Sequence, residues 1–164
     1  MSSSSDNPLN EAKLITEWVW YDDSDAIAQG IAVYYNSDYG TATVADQQRF
    51  NRVLRPANDP IAITNMYFAG VTVRGYSAKP SGQLIEVALP GSRGAMIQLM
   101  PTQPSVINTM AYRPFGLSAS HEGKWIQSSS IYGHGAAWVT QTASAGSLVM
   151  CNLWVGNVPW GPGA

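Results

Sequence analysis

Few residues of this 164-residue chain could do chemistry, and their spacing decides what kind. His121 and His134 are the only histidines. A zinc site would have to take both and recruit a carboxylate such as Glu122, but the short ligand spacing that presents two side chains to one metal is absent. Asp22-Asp23-Ser24-Asp25 places three carboxylates within four residues. Their hard oxygens suit calcium, yet the EF-hand pattern is missing and a solvated turn is the better reading. A glycosidase needs two carboxyl groups across a cleft; the strand-borne candidates, Glu17 and Glu86, are isolated single charges. Pro90-Gly91-Ser92-Arg93-Gly94 lacks the Gly-Lys-Ser/Thr and the following helix of a phosphate loop, so a hairpin turn is expected there. No Gly-x-Ser-x-Gly elbow occurs. Cys151, the single cysteine, cannot form an intrachain disulfide and reads as a small buried hydrophobe. No constellation demands an enzyme, a metal or a cofactor, and the expectation is a non-catalytic protein.

The elements that would position these residues are strands. Residues 14–21 are aromatic and β-branched and stop at the turn-forming acidic run. A small residue, a variable residue and a glycine precede an alternating apolar run three times, in residues 28–35, 80–89 and 144–153. This places Gly30, Gly82 and Gly146 in turns where a positive φ costs glycine little. Further strands are expected at residues 67–73, 95–99, 125–127 and 136–140. One helix is expected over residues 45–54, where Phe50, Val53 and Leu54 fall at i, i+3 and i+4 and Pro56 ends it. Turn signals roughly every ten residues give an all-β fold, a small β-barrel or β-sandwich with one short helix. The organisation is a flexible N-terminal arm over residues 1–12 and a single β-rich domain over 13–164.

Composition points to assembly. The chain is 12% charged, against about 25% for an ordinary soluble domain. Residues 125–164 contain no Asp, Glu, Lys or Arg but hold Trp125, Trp138, Trp154 and Trp160. Interfaces enrich Trp and Tyr and exclude charge from their centres, so Trp18, Trp20, Tyr21, Trp154 and Trp160 are the candidate anchors for a subunit or partner. Trp138, between Ala137 and Val139, reads as core. Net charge is −2, but residues 1–46 carry eight acidic groups against Lys13 alone, while residues 47–164 carry eight basic groups against three acidic ones. The opposed halves match each other within one chain, or an acidic arm lies on a neighbour's basic patch. Eight scattered basic residues do not make a nucleic-acid footprint. No apolar run approaches the roughly 18 residues of a membrane span, and the start lacks a secretory signal, so synthesis and assembly in cytoplasm are expected.

The order of features resembles the head decoration, or cement, proteins of tailed bacteriophages. A Ser-rich arm precedes Gly30-Ile-Ala-Val-Tyr-Tyr, Arg49-Phe-Asn-Arg-Val-Leu-Arg-Pro, Phe68-Ala-Gly-Val-Thr-Val, Gly82-Gln-Leu-Ile-Glu-Val-Ala-Leu-Pro-Gly-Ser92 and Ala145-Gly-Ser-Leu-Val, together spanning roughly residues 27–150. The resemblance implies a non-enzymatic virion protein on the capsid surface. It would bind the major capsid protein, commonly as a homotrimer at local threefold positions, and bridge neighbouring capsomers against internal pressure. No catalytic residue or cofactor comes with it. The uncharged, Trp-containing C-terminus departs from the pattern and leaves open which end meets the capsid. The rivals are a carbohydrate- or receptor-binding module with a rigid aromatic platform, a small hydrolase using Glu or His, and another virion subunit such as a minor shell or tail-tube protein.

Overall fold

The structure, a computed structural model, describes residues 13–35, 52–55, 67–102, 111–115, 123–127 and 137–153. The described residues form ten strands: β1 (Thr16–Tyr21), β2 (Ala32–Tyr35), β3 (Arg52–Leu54), β4 (Tyr67–Thr72), β5 (Gln83–Ala88), β6 (Arg93–Gln98), β7 (Ala111–Phe115), β8 (Lys124–Gln127), β9 (Ala137–Val139) and β10 (Leu148–Leu153). The fold is all-β, with no helix among the described residues.

The first five strands close into a barrel in the order β1-β3-β2-β4-β5, sealed by the antiparallel β5–β1 ladder. The β1–β3 pair is parallel, Trp20 opposite Arg52 and Tyr21 opposite Val53. The remaining strands form a second sheet, β6-β10-β9-β7-β8. Its edges meet at a parallel bridge between Leu99 and Trp125, where Met100 N–H donates to the Trp125 carbonyl at 3.1 Å.

Side-chain alternation builds two cores from one set of barrel strands. Val19, Tyr21, Ile27, Ile31, Val33, Val53, Ala69, Ile85 and Val87 fill the barrel. Ala32, Tyr34, Val71 and Ala88 point out of it, against Ala95, Ile97, Leu99, Trp125, Ala137, Val139, Val149, Cys151 and Leu153 of the second sheet. β2 thus divides between both cores, residue by residue. In β4 the alternation is interrupted, since Phe68 and Val71 both face the inter-sheet core while Ala69 faces the barrel. The register shift opposite Val33 and Tyr34 supplies the extra residue, as a β-bulge does.

The turn at Gly30 joins the layers. Its φ is 79°, its N–H donates to Thr72 O at 3.0 Å, and its carbonyl accepts from Gln98 N–H at 2.9 Å. Buried Thr72 completes the joint: its hydroxyl donates to Ala28 O at 2.7 Å and accepts from Ile31 N–H at 3.0 Å. Gly82 and Gly146, in the other two strand-opening patterns, have φ near 75° as well.

Two expectations change. Residues 52–54, the end of the expected helix, are strand β3, with Val53 buried and Arg52 and Leu54 half-buried; residues 45–51 lie outside the described residues. Residues 90–94 do form a turn, with Ser92 N–H donating to Leu89 O at 3.1 Å. The strands it connects are not partners, because β5 pairs with β1 and β4 whereas β6 pairs with β10. It is the crossover between layers rather than a hairpin turn. Ser92, fully buried, fastens the entering chain there: its hydroxyl accepts from Ile15 N–H at 3.0 Å and donates to Ile15 O at 3.1 Å. Cys151 is buried as expected, and burial pushes its thiol well above its ordinary pKa.

Candidate interaction site

The second sheet covers the outside of the barrel at Ala88 but leaves the far end of the β1–β5 ladder bare. There the outward residues of β1 stand opposite those of β5, Trp18 beside Glu86 and Trp20 beside Leu84. Trp18 is 52% and Leu84 55% exposed, although both lie within regular strands. The chain leaving β4 completes the group. The Arg74 guanidinium lies 5.4 Å from the Trp18 ring centre and 5.5 Å from that of Tyr76. Arg74 Nε donates to the Tyr76 hydroxyl at 3.2 Å, and the same oxygen accepts from Glu86 N–H at 2.7 Å. That hydrogen bond keeps Arg74 charged beyond its ordinary range, as does the field of Glu86.

Trp, Tyr and Arg around exposed aliphatic carbon is the composition of residues that dominate binding energy at protein interfaces. Trp18 and Trp20 therefore stand where a partner can reach them, Trp20 half-buried. Tyr21 does not. The alternation that turns Trp18 and Trp20 outward turns Tyr21 into the barrel, 0% exposed, where its hydroxyl donates to Asp23 at 3.2 Å. It is a core residue instead of a surface anchor. Trp154 and Trp160, like His121, Glu122 and His134, lie outside the described residues. Trp125 is fully buried, while Trp138 is half-buried because its neighbours Ala137 and Val139 take the core face. Sequence inspection missed Arg74 and Tyr76; the only available signal was a cation between aromatics just past a strand end.

The acidic turn has a different use from either reading of it. Arg52 pairs with Asp22 at 3.2 Å, and Arg55 with Asp23 at 2.8 Å and Asp25 at 2.9 Å. Burial alone would raise the Asp23 carboxyl, but the Asp25 N–H and the Arg55 guanidinium more than offset this and hold it below its usual value. Three of the acidic groups in residues 1–46 are thus matched within the chain, and they fasten β3 to the turn after β1. Among the described residues no group of three or more His, Cys, Asp or Glu could hold a metal ion.

No family model matches the sequence, and no curated protein matches it. Among solved structures, the chain is similar to one from the capsid of Myoviridae phage XM1, with a TM-score of 0.50 and 11% identity. The match covers 92% of this chain and 97% of that one, and at this level of identity it shows a shared fold.

Proposed function

We propose that this protein is a non-enzymatic virion structural protein that binds the outer surface of a phage capsid and stabilises the shell by bridging neighbouring capsomers. The observation that carries the reading is the shared fold, over nearly the whole of both chains, with a chain of a phage capsid. The exposed Trp18–Leu84 face supports it, because a bare apolar group on a strand ladder is characteristic of a surface that meets another protein. In this reading the chain acts by adhesion. Trp18 and Leu84 lose water against a neighbour, and the major capsid protein is the principal partner. Homotrimers engaging several weak sites at once would hold far more tightly than any one site, through effective concentration. A shell subunit of another kind would share the fold likeness, whereas a carbohydrate- or receptor-binding module would use the Trp18 face on sugars.

The test is heating of shells prepared without this protein, alone and with it added. The expected result is a higher rupture temperature and saturable binding at a fixed ratio to the capsid protein. Trp18→Ala should weaken attachment by on the order of 2 kcal/mol, about thirtyfold. Shells that rupture at the same temperature with the protein bound would contradict stabilisation, and glycan binding without shell binding would favour the sugar-directed alternative.

A further inference from the structure

Arg74 is held in place but only partly used. Its Nε is fixed on Tyr76 and its plane lies near two rings, yet among the described residues it has no ion-pair partner within 4.0 Å and makes no other hydrogen bond. The Nη fork, the part of arginine that receives a carboxylate through two parallel hydrogen bonds, is open. Tyr76 is similarly half-used. Its oxygen already accepts two hydrogen bonds, from Arg74 and Glu86, which occupies both lone pairs and leaves the O–H to donate. Two donors thus converge beside the exposed Trp18 ring. Along the same ladder, two residues or about 7 Å further on, lies the Trp20–Leu84 pair. The complement of this surface is a carboxylate followed, within about 10 Å, by apolar side chains.

The chain itself contains such a segment. Residues 1–12 carry Asp6 and Glu11 with no Lys or Arg, and Asp6-Asn7-Pro8-Leu9 sets an apolar pair two and three residues after a carboxylate. Asp6 to Leu9 spans about 10 Å when extended. The segment joins the fold at Lys13, whose N–H and C=O both bond to Arg93, at 3.0 and 2.9 Å. Ile15 is fastened just inside, on Ser92. From that anchor β1 runs toward Trp18, so a segment preceding Lys13 would have to double back along β1 to reach the site of its own chain.

We propose that the Arg74 site binds residues 1–12 of a second copy of the chain, with the Asp6 carboxylate on the Arg74 fork and the Tyr76 hydroxyl, and Pro8 and Leu9 over Trp18 and Leu84. This deepens the proposed function by naming the neighbour that covers this face, and it rests on that reading only in supposing that copies meet. It is tested without any shell, so the two can fail separately.

The experiment is sedimentation velocity of the full chain and of full-length charge variants. Wild type should self-associate. Asp6→Lys and Arg74→Glu should each weaken association by at least about tenfold, since each sets like charges face to face, and Arg74→Gln should weaken it less. An equimolar mixture of Asp6→Lys and Arg74→Glu chains should associate again, because the reversed arm of one meets the reversed site of the other. Wild type that stays monomeric up to about 1 mM would overturn the proposal, as would either reversal associating like wild type. A mixture that stays dissociated would also overturn it, showing that the segment folds onto its own chain or goes elsewhere. Loss of shell attachment in Arg74→Glu with a monomeric wild type would assign the site to the capsid protein and equally overturn it.

Discussion

Replacing Gly30 by alanine should unfasten the two layers, and its cost can be worked from the joint. The residue adopts φ 79°, which for an L side chain costs about 1–2 kcal/mol. A Cβ there would sit 2.5 Å from Gln98 N, 2.8 Å from Ile97 C and 2.8 Å from Leu148 Cδ2. Two of these are backbone atoms that no rotamer change can move. Restoring an ordinary contact of 3.4 Å would push the chains apart by about 0.9 Å and stretch the 2.9 Å bond from Gln98 N–H to Gly30 O out of range. The overpacking adds about 1–3 kcal/mol and the lost bond about 0.5–1.5 kcal/mol, for a total of about 3–6 kcal/mol. That is a large fraction of the 5–15 kcal/mol or so that stabilises a typical domain. Urea unfolding followed by tryptophan fluorescence should show a midpoint about 1.5–3 M lower, at a slope near 2 kcal/mol/M. Gly75→Ala is the control: the nearest atom to its added Cβ is 3.7 Å away and its φ is not positive, so stability should be unchanged or slightly raised. A Gly30→Ala midpoint within about 0.5 M of wild type would refute the close approach on which the joint between layers depends.

Three other outcomes are expected. Asp23 has a depressed carboxyl pKa in the fold, so its contribution is fully present above the unfolded value and is lost as pH falls through the folded one; the stability gap between wild type and Asp23→Asn should be flat above about pH 5 and shrink below about pH 4, and a gap unchanged at pH 2.5 would refute this. Trp125 is fully buried and its indole N–H has no partner among the described residues, so denaturant titration should find Trp125→Phe within about 1.5 kcal/mol of wild type, relief of the unmet donor offsetting the smaller ring, whereas Trp125→Ala should cost about 3–5 kcal/mol. Equal costs would contradict it. Replacing His121 and His134 together by Gln should change neither bound metal, read by elemental analysis, nor shell attachment, and loss of a stoichiometric metal would reopen a catalytic reading.

Strand positions were legible where alternation ran long enough. Residues 83–88 and 148–153 carry three or more period-2 repeats, and the glycine before each fixed where the strand starts. β3 was not legible because three residues cannot separate a period of 2 from one of 3.6; what makes it a strand is partners on both sides and the Arg52 and Arg55 ion pairs, all distant in sequence. β7 was missed because Pro114 argues against a central strand. The β7–β9 ladder ends at Tyr112, so Pro114 sits where only β8 remains alongside among the described residues. The site was half legible. Aromatic strand residues marked Trp18 and Trp20, but which face each takes depends on register, and Tyr21 fell on the other one. Arg74 joins Trp18 only through the β1–β5 and β5–β4 pairings, which no local pattern encodes.

The central claim, that the chain works on the outside of a capsid, is tested most directly by electron cryomicroscopy of heads assembled with and without it. The account predicts additional density on the outer surface of the shell, bridging neighbouring capsomers, into which the barrel and its covering sheet fit, with the Trp18–Leu84 face buried against a neighbour. Density inside the shell or in the tail tube, or identical reconstructions with and without the protein, would contradict it.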